Sequence, residues 1–127
     1  MRYTPDNITE LGEGEYFTFG SNTDGRHGKG AAKFAWQKFG AEYGIGEGIT
    51  GRCYALPTVG HNLSKMSLSK IKVHVENFLK CAAENPDKIF LVTQIGCGLA
   101  GHNPKDIAPM FKERTENVII PKEFDIC

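Results

Sequence analysis

Nine of the 15 glycines fall within residues 20–51, and three more within residues 96–101. Each cluster follows a short apolar, β-prone run, at residues 16–19 and 89–93. A glycine segment entered from a strand can turn tightly and bring its backbone close to a ligand, because without a Cβ it reaches left-handed conformations. Two more runs of the same kind lie at residues 53–56 and 118–120. All four are too apolar to be buried on one face only, which points to a mainly parallel sheet covered on both sides.

Helical patterns fill the gaps. Ala31, Ala32, Ala35, Trp36 and Phe39 form one apolar stripe, with Phe34 off it. Leu68, Ile71, Val75, Phe78, Leu79 and Ala82 form a longer one that Asn85-Pro86 should stop. Asn103 can cap a third, short helix that has Pro104 at its first position and Ile107, Met110 and Phe111 on its buried face. The alternation of strand and helix predicts one α/β domain over residues 1–127, three layers deep in the order α/β/α, with a mainly parallel or mixed sheet. The segment at residues 40–51 is expected to be its one long irregular loop, and loops of that length tend to be functional.

Charge and cysteine usage narrow the classes. Fifteen Lys and Arg balance 15 Asp and Glu, so the chain has no basic surplus for gripping nucleic acid phosphates. No apolar run approaches the ~20 residues of a membrane span, and the first residues lack the apolar core of a signal peptide. Cys53, Cys81, Cys97 and Cys127 are scattered with no C-x-x-C pair, which argues against a zinc site and against a disulfide scaffold. The expectation is a reducing, cytoplasmic setting, with no membrane, metal or cofactor.

In an open α/β sheet ligands bind beyond the carboxyl ends of the strands, so both glycine clusters should share one edge. Loop N–H groups converging near a helix N-terminus hold phosphate oxygens without a cationic side chain, and two such loops can hold a diphosphate. Residues 96–101 spell G-x-G-x-x-G, but in the dinucleotide fingerprint the helix opens within the glycines, whereas here the cap signal comes later, at Asn103. Gly28-Lys29-Gly30 lacks the Ser or Thr of a P-loop.

Three stretches in order resemble the macro domain, the ADP-ribose-binding fold, over residues 6–111. Asp6-Asn7-Ile8-Thr9 is similar to the family's Gly-Asp-Ile-Thr opening, whose Asp bonds the adenine amino group. Phe19-Gly20-Ser21-Asn22, with the glycine-rich residues 25–31, resembles its Asn-Ala-Ala-Asn strand end and first loop, where the final Asn meets the distal ribose. Ile95-Gly96-Cys97-Gly98-Leu99 closely resembles the diphosphate loop of the branch that includes terminal ADP-ribose glycohydrolase, and Leu56-Pro57-Thr58 fits the strand end between. The resemblance implies an ADP-ribose cleft with Asp6 at the adenine and Thr58 at the intervening strand. Its first loop would contribute Gly20, Ser21, Asn22, Gly25, His27, Gly28, Lys29 and Gly30. Its second would contribute Ile95, Gly96, Cys97, Gly98, Leu99, Ala100 and Gly101. There are departures. Where the lysine-dependent glycohydrolases carry an Asp after the Gly-Leu step and a Lys after the middle strand, this chain has Ala100 and Val59 or Gly60. Where other hydrolases place a water-positioning Asp near the end of the first loop, it has Lys29.

The residues themselves leave two functions open. As an ADP-ribosyl hydrolase the chain would use Asn22, Asp24 and His27 around the reacting ribose, with Glu47 as a further loop carboxylate. As a binding module it would read or sequester ADP-ribose or a similar nucleotide, free or on a modified macromolecule. A third, weaker reading has Arg26 and Lys29 gripping the terminal phosphate of a nucleic acid. His61 and His102 follow strand ends and can border the cleft, while His74 belongs to a helix surface. Tyr43 can stack on a base, Trp36 is expected in the core, and Cys97 is either a nucleophile or a packed small residue.

Overall fold

The computed structural model describes residues 2–28, 30–98 and 100–125. Strands β1 (Glu15–Asn22), β2 (Gly48–Thr50), β3 (Cys53–Val59), β4 (Ile89–Val92) and β5 (Val118–Ile119) form one sheet in the order β2-β3-β1-β4-β5. β1 pairs in parallel with β3 on one side and with β4 on the other, and β4 pairs in parallel with β5. β2 runs antiparallel to β3, so the sheet is mixed. This edge strand falls inside the segment expected to be irregular throughout. Its three residues include one glycine, and only pairing with Cys53, Tyr54 and Ala55 makes them extended.

Side-chain alternation along the strands divides the core in two. Phe17, Phe19, Cys53, Ala55 and Leu91 pack with Ala32, Ala35 and Phe39 of helix α1 (Gly30–Lys38) and its C-terminal flank. Tyr54, Leu56, Phe90 and Val92 pack with Ile71, Val75, Phe78 and Ala82 of helix α2 (Leu68–Glu84). Helices thus cover both faces, as the runs required. Ser67 caps the start of α2, and Asn85 ends it. The Nδ2 of Asn117, just before β5, lies within 3.1 Å of the carbonyls of Ala82, Asn85 and Lys88, tying the end of α2 to the sheet.

The third helical segment opens as expected, with the Asn103 side chain accepting from the Lys105 N–H and Pro104 at the first position. It is short: one α-turn, α3 (Pro104–Ile107), and then a 3-10 turn, Ala108–Phe111. Ile107 and Phe111 are fully buried against the α2 cluster, and Met110 packs partly against it. The α1 stripe needs correction, because Ala31 and Trp36 are exposed while Phe34, off the stripe, is half-buried against Phe17 and Phe39. No helix among the described residues is long and apolar enough to cross a membrane.

One central residue is poorly satisfied. Thr18 of β1 is completely buried, and its Oγ1 finds no hydrogen-bond partner among the described residues. A buried hydroxyl in that state keeps its desolvation cost with no compensating bond. Thr18→Val, which replaces the hydroxyl by a methyl of the same shape, is therefore expected to raise the unfolding free energy in urea by about 1 kcal/mol. A loss of stability would show that the hydroxyl is bonded after all.

Candidate functional site

β1 leads through α1 to β3 on one side of the sheet, and its neighbour β4 leads through α3 to β5 on the other. Where connections leave two adjacent parallel strands in opposite directions, a crevice opens beyond their carboxyl ends. A cavity of about 440 Å³ lies there. Gly20, Ser21 and Asn22 line it from the end of β1, Thr58 and Val59 from the end of β3, and Thr93, Gln94 and Ile95 from the segment after β4. Both glycine clusters reach it, the first through Gly28 and Gly30 and the second through Gly96, Gly98 and Ala100.

The first loop is shaped by its own backbone. Asn22 is buried at the end of β1, with its Nδ2 donating to the Arg26 carbonyl at 2.8 Å and its Oδ1 accepting from the Arg26 N–H at 2.9 Å. The carboxamide expected to meet a ribose thus clasps the loop, while Asn22 still lines the cavity. Gly25 has a φ of +70° and sits so tightly on residues 40–51 that an added Cβ would lie 2.2 Å from the Gly44 carbonyl carbon. The Gly44 N–H donates to the Gly25 carbonyl at 2.7 Å, and the Ser21 hydroxyl donates to the Gly46 carbonyl. Gly25 therefore serves loop-to-loop packing and does not line the cavity. Gly28 differs, because nothing lies within 4 Å of the place a Cβ would take.

The second loop folds back on itself, with the Gly101 N–H bonded to the Gly98 carbonyl at 3.0 Å and the His102 N–H bonded to the Gly96 carbonyl at 2.8 Å. Gly98, like Gly28, has open space where a side chain would be. Cys97 and Gly101 are not among the cavity-lining residues. The Cys97 thiol packs against the α2-side core, and burial pushes it up to about 11, so it is a packed side chain and no activated nucleophile. Cys53, Cys81 and Cys97 are free thiols.

Several candidates point elsewhere. His27 was expected at the cavity as an acid or base, but its ring is fully buried, edge-on to Phe19 and Tyr43, with Nε2–H donating to the Glu42 carbonyl at 3.0 Å. The loop turns this apolar-flanked imidazole into the core. Asp24 does not line the cavity; its Oδ1 meets His61 Nδ1 at 2.7 Å, and its Oδ2 accepts the Asn62 N–H at 2.8 Å. Glu47 pairs with His74 Nδ1 at 2.8 Å and takes a hydrogen bond from Asn77, both on α2. His102 bonds the Met66 carbonyl through Nε2. Asp6 is exposed and is not among the cavity-lining residues; Thr4, two residues before it, bonds the Ile120 carbonyl just after β5. Lys29 and Leu99 lie outside the described residues.

Among the described lining residues Arg26 is the only cation, and no carboxylate or imidazole is present. Tyr43 lines the cavity. Sequence reasoning missed Thr93 and Gln94, and also Ala32, Val59 and Leu63. The first two follow β4 directly, so the rule that ligands sit beyond strand carboxyl ends was the available signal. Leu63 offered none. No group of three His, Cys, Asp or Glu among the described residues could hold a metal ion. A second groove of about 440 Å³ lies along the edge strand β5, lined by Val118, Ile119 and Ile120 with Arg2, Lys112, Arg114 and Glu116.

Comparison with protein-family models, with curated proteins and with solved structures gives no match for this chain.

The Asp24 tie makes one testable statement. The Asn62 N–H first, then the His61 ring, hold the Asp24 carboxyl below its ordinary value of 3.8. With the folded value depressed, the tie between the first loop and residues 61–63 is intact above 3.8 and is lost only as pH falls through the lower folded value. NMR titration of the Asp24 carboxyl should give a midpoint below 3.8, accompanied by movement of the Asn62 amide; a midpoint at or above 3.8 contradicts the contact.

Proposed function

We propose that this chain is a macro-type domain that binds ADP-ribose or a closely related adenine nucleotide diphosphate in the cavity between β1 and β4. The observation that carries the reading is the meeting of two glycine loops at the reversal of strand order, each with a position, Gly28 and Gly98, that leaves backbone open. Backbone N–H groups of such loops, beside the start of α1, suit phosphate oxygens. They also suit a chain of zero net charge, in which Arg26 adds a single positive side chain to the described lining. The cavity volume falls within the roughly 300–1,000 Å³ of small-molecule sites and far exceeds what a lone phosphate needs.

Binding is favoured over hydrolysis. A hydrolase needs a group to move a proton at the reacting bond, within hydrogen-bond reach of it. The described lining offers no carboxylate or imidazole for this, since Asp24, His27 and Glu47 are engaged elsewhere, and the Tyr43 phenol is its one titratable hydroxyl. A reader of ADP-ribosylated macromolecules, or a domain that sequesters the free nucleotide, needs only the cleft.

Calorimetric titration with ADP-ribose, with AMP and NAD as comparison ligands, tests the reading. Gly98→Glu is the matched control, because its side chain enters open space without disturbing the loop and sets a carboxylate where the phosphates would lie. Micromolar affinity that is lost in Gly98→Glu, with no turnover of ADP-ribosylated protein, is the expected result. Heat with none of the three ligands would remove the nucleotide reading, and turnover by the purified chain would make it an enzyme.

A further inference from the structure

Two apolar side chains line the cavity in conditions that folding alone does not reward. Leu63 has a φ of 59°, directly after Asn62 with a φ of 54°. Side chains other than glycine crowd the backbone there, and such outliers gather at functional sites. Yet Leu63 remains 50 % exposed, so core burial does not offset the strain. Its position is held, because the Asn62 N–H is bonded to Asp24 and the Ser64 N–H to the His61 carbonyl.

Tyr43 is also left open, at 53 % exposure, but it is fixed in place. The preceding residue, Glu42, is pinned by both backbone groups: its carbonyl accepts from buried His27, and its N–H donates to the Thr50 hydroxyl at 2.8 Å. The Tyr43 ring meets His27 at a centroid distance of 5.7 Å and Trp36 at 5.2 Å, both at steep angles. An aromatic ring braced on two sides and still uncovered is ready to stack.

We propose that Tyr43 and Leu63 together receive the planar nucleobase of the ligand whose phosphates rest on the glycine loops. The inference depends on the nucleotide reading above and deepens it by naming what holds the base. Phosphate recognition gives no reason for a rigid tyrosine and a strained leucine in the same cavity; a flat, partly apolar ring does. It also supplies a base contact in place of Asp6, which does not line the cavity. His27 and Trp36 are positioning residues for Tyr43.

The chain's only tryptophan, Trp36, stands against Tyr43, so its emission reports on the platform. ADP-ribose and inorganic pyrophosphate are titrated into the wild type, Tyr43→Ala, Tyr43→Phe and Leu63→Gly by calorimetry and by Trp36 fluorescence. ADP-ribose should change the emission and pyrophosphate should not. Tyr43→Ala should weaken ADP-ribose about tenfold while leaving pyrophosphate within about twofold, and Tyr43→Phe should retain wild-type binding. Leu63→Gly, which relieves the strain, should weaken ADP-ribose without lowering the melting temperature, a separation that a purely structural leucine would not give. Equal losses for both ligands in Tyr43→Ala, or no loss for either, overturn the base site. Wild-type binding of pyrophosphate as tight as that of ADP-ribose overturns it while leaving the phosphate cleft standing. Failure of the wild type to bind either ligand overturns both readings.

Discussion

β1 must be covered on both faces and paired along both edges. Phe17 and Phe19 point to one side and Tyr16 to the other, while β3 and β4 take its two rows of backbone hydrogen bonds. One helix cannot cover two faces. With right-handed crossovers, the connection from β1 to β3 and the connection from β3 to β4 place α1 and α2 on opposite sides, and the strand order then reverses between β1 and β4. The cavity at their carboxyl ends follows from burying a two-faced central strand. Thr93 reinforces this junction: its N–H and its hydroxyl both donate to the Thr18 carbonyl, at 3.1 Å and 2.9 Å.

The rim is made rigid by close backbone contact. Gly25 fits against Gly44, the Ser21 hydroxyl holds the Gly46 carbonyl, and Asn22 closes on Arg26. These contacts engage polar groups of Ser21 and Asn22, which still line the cavity, while leaving Gly28 and Gly98 open. Glycines here fall into two kinds. Some permit one loop to lie on another, and a few leave room for something to approach.

The parts legible in the sequence were those fixed by local pattern. The α2 stripe, the Asn103–Pro104 start, the four apolar strands and the shared edge of the two glycine clusters all follow from periodicity, capping or the parallel-sheet rule. The parts that were not legible depend on partners distant in the chain. β2 is extended because Cys53 to Ala55 lie beside it. His27 is buried because Glu42, fifteen residues on, offers a carbonyl between two aromatic rings. Trp36 is exposed because Tyr43 gives it a neighbour outside the core. Leu63 owes its strained backbone to turn geometry that no residue type announces.

On the proposed reading, the nucleotide diphosphate takes the carboxyl-edge crevice and not the more cationic groove that Arg2, Lys112 and Arg114 form along the edge strand β5. The most direct measurement follows backbone amide signals by two-dimensional NMR as ADP-ribose is added. The expected result is saturable movement of the Gly28 and Gly98 amides, with Lys112 and Arg114 unchanged. Movement confined to Lys112, Arg114 and Glu116, with Gly28 and Gly98 still, would contradict it.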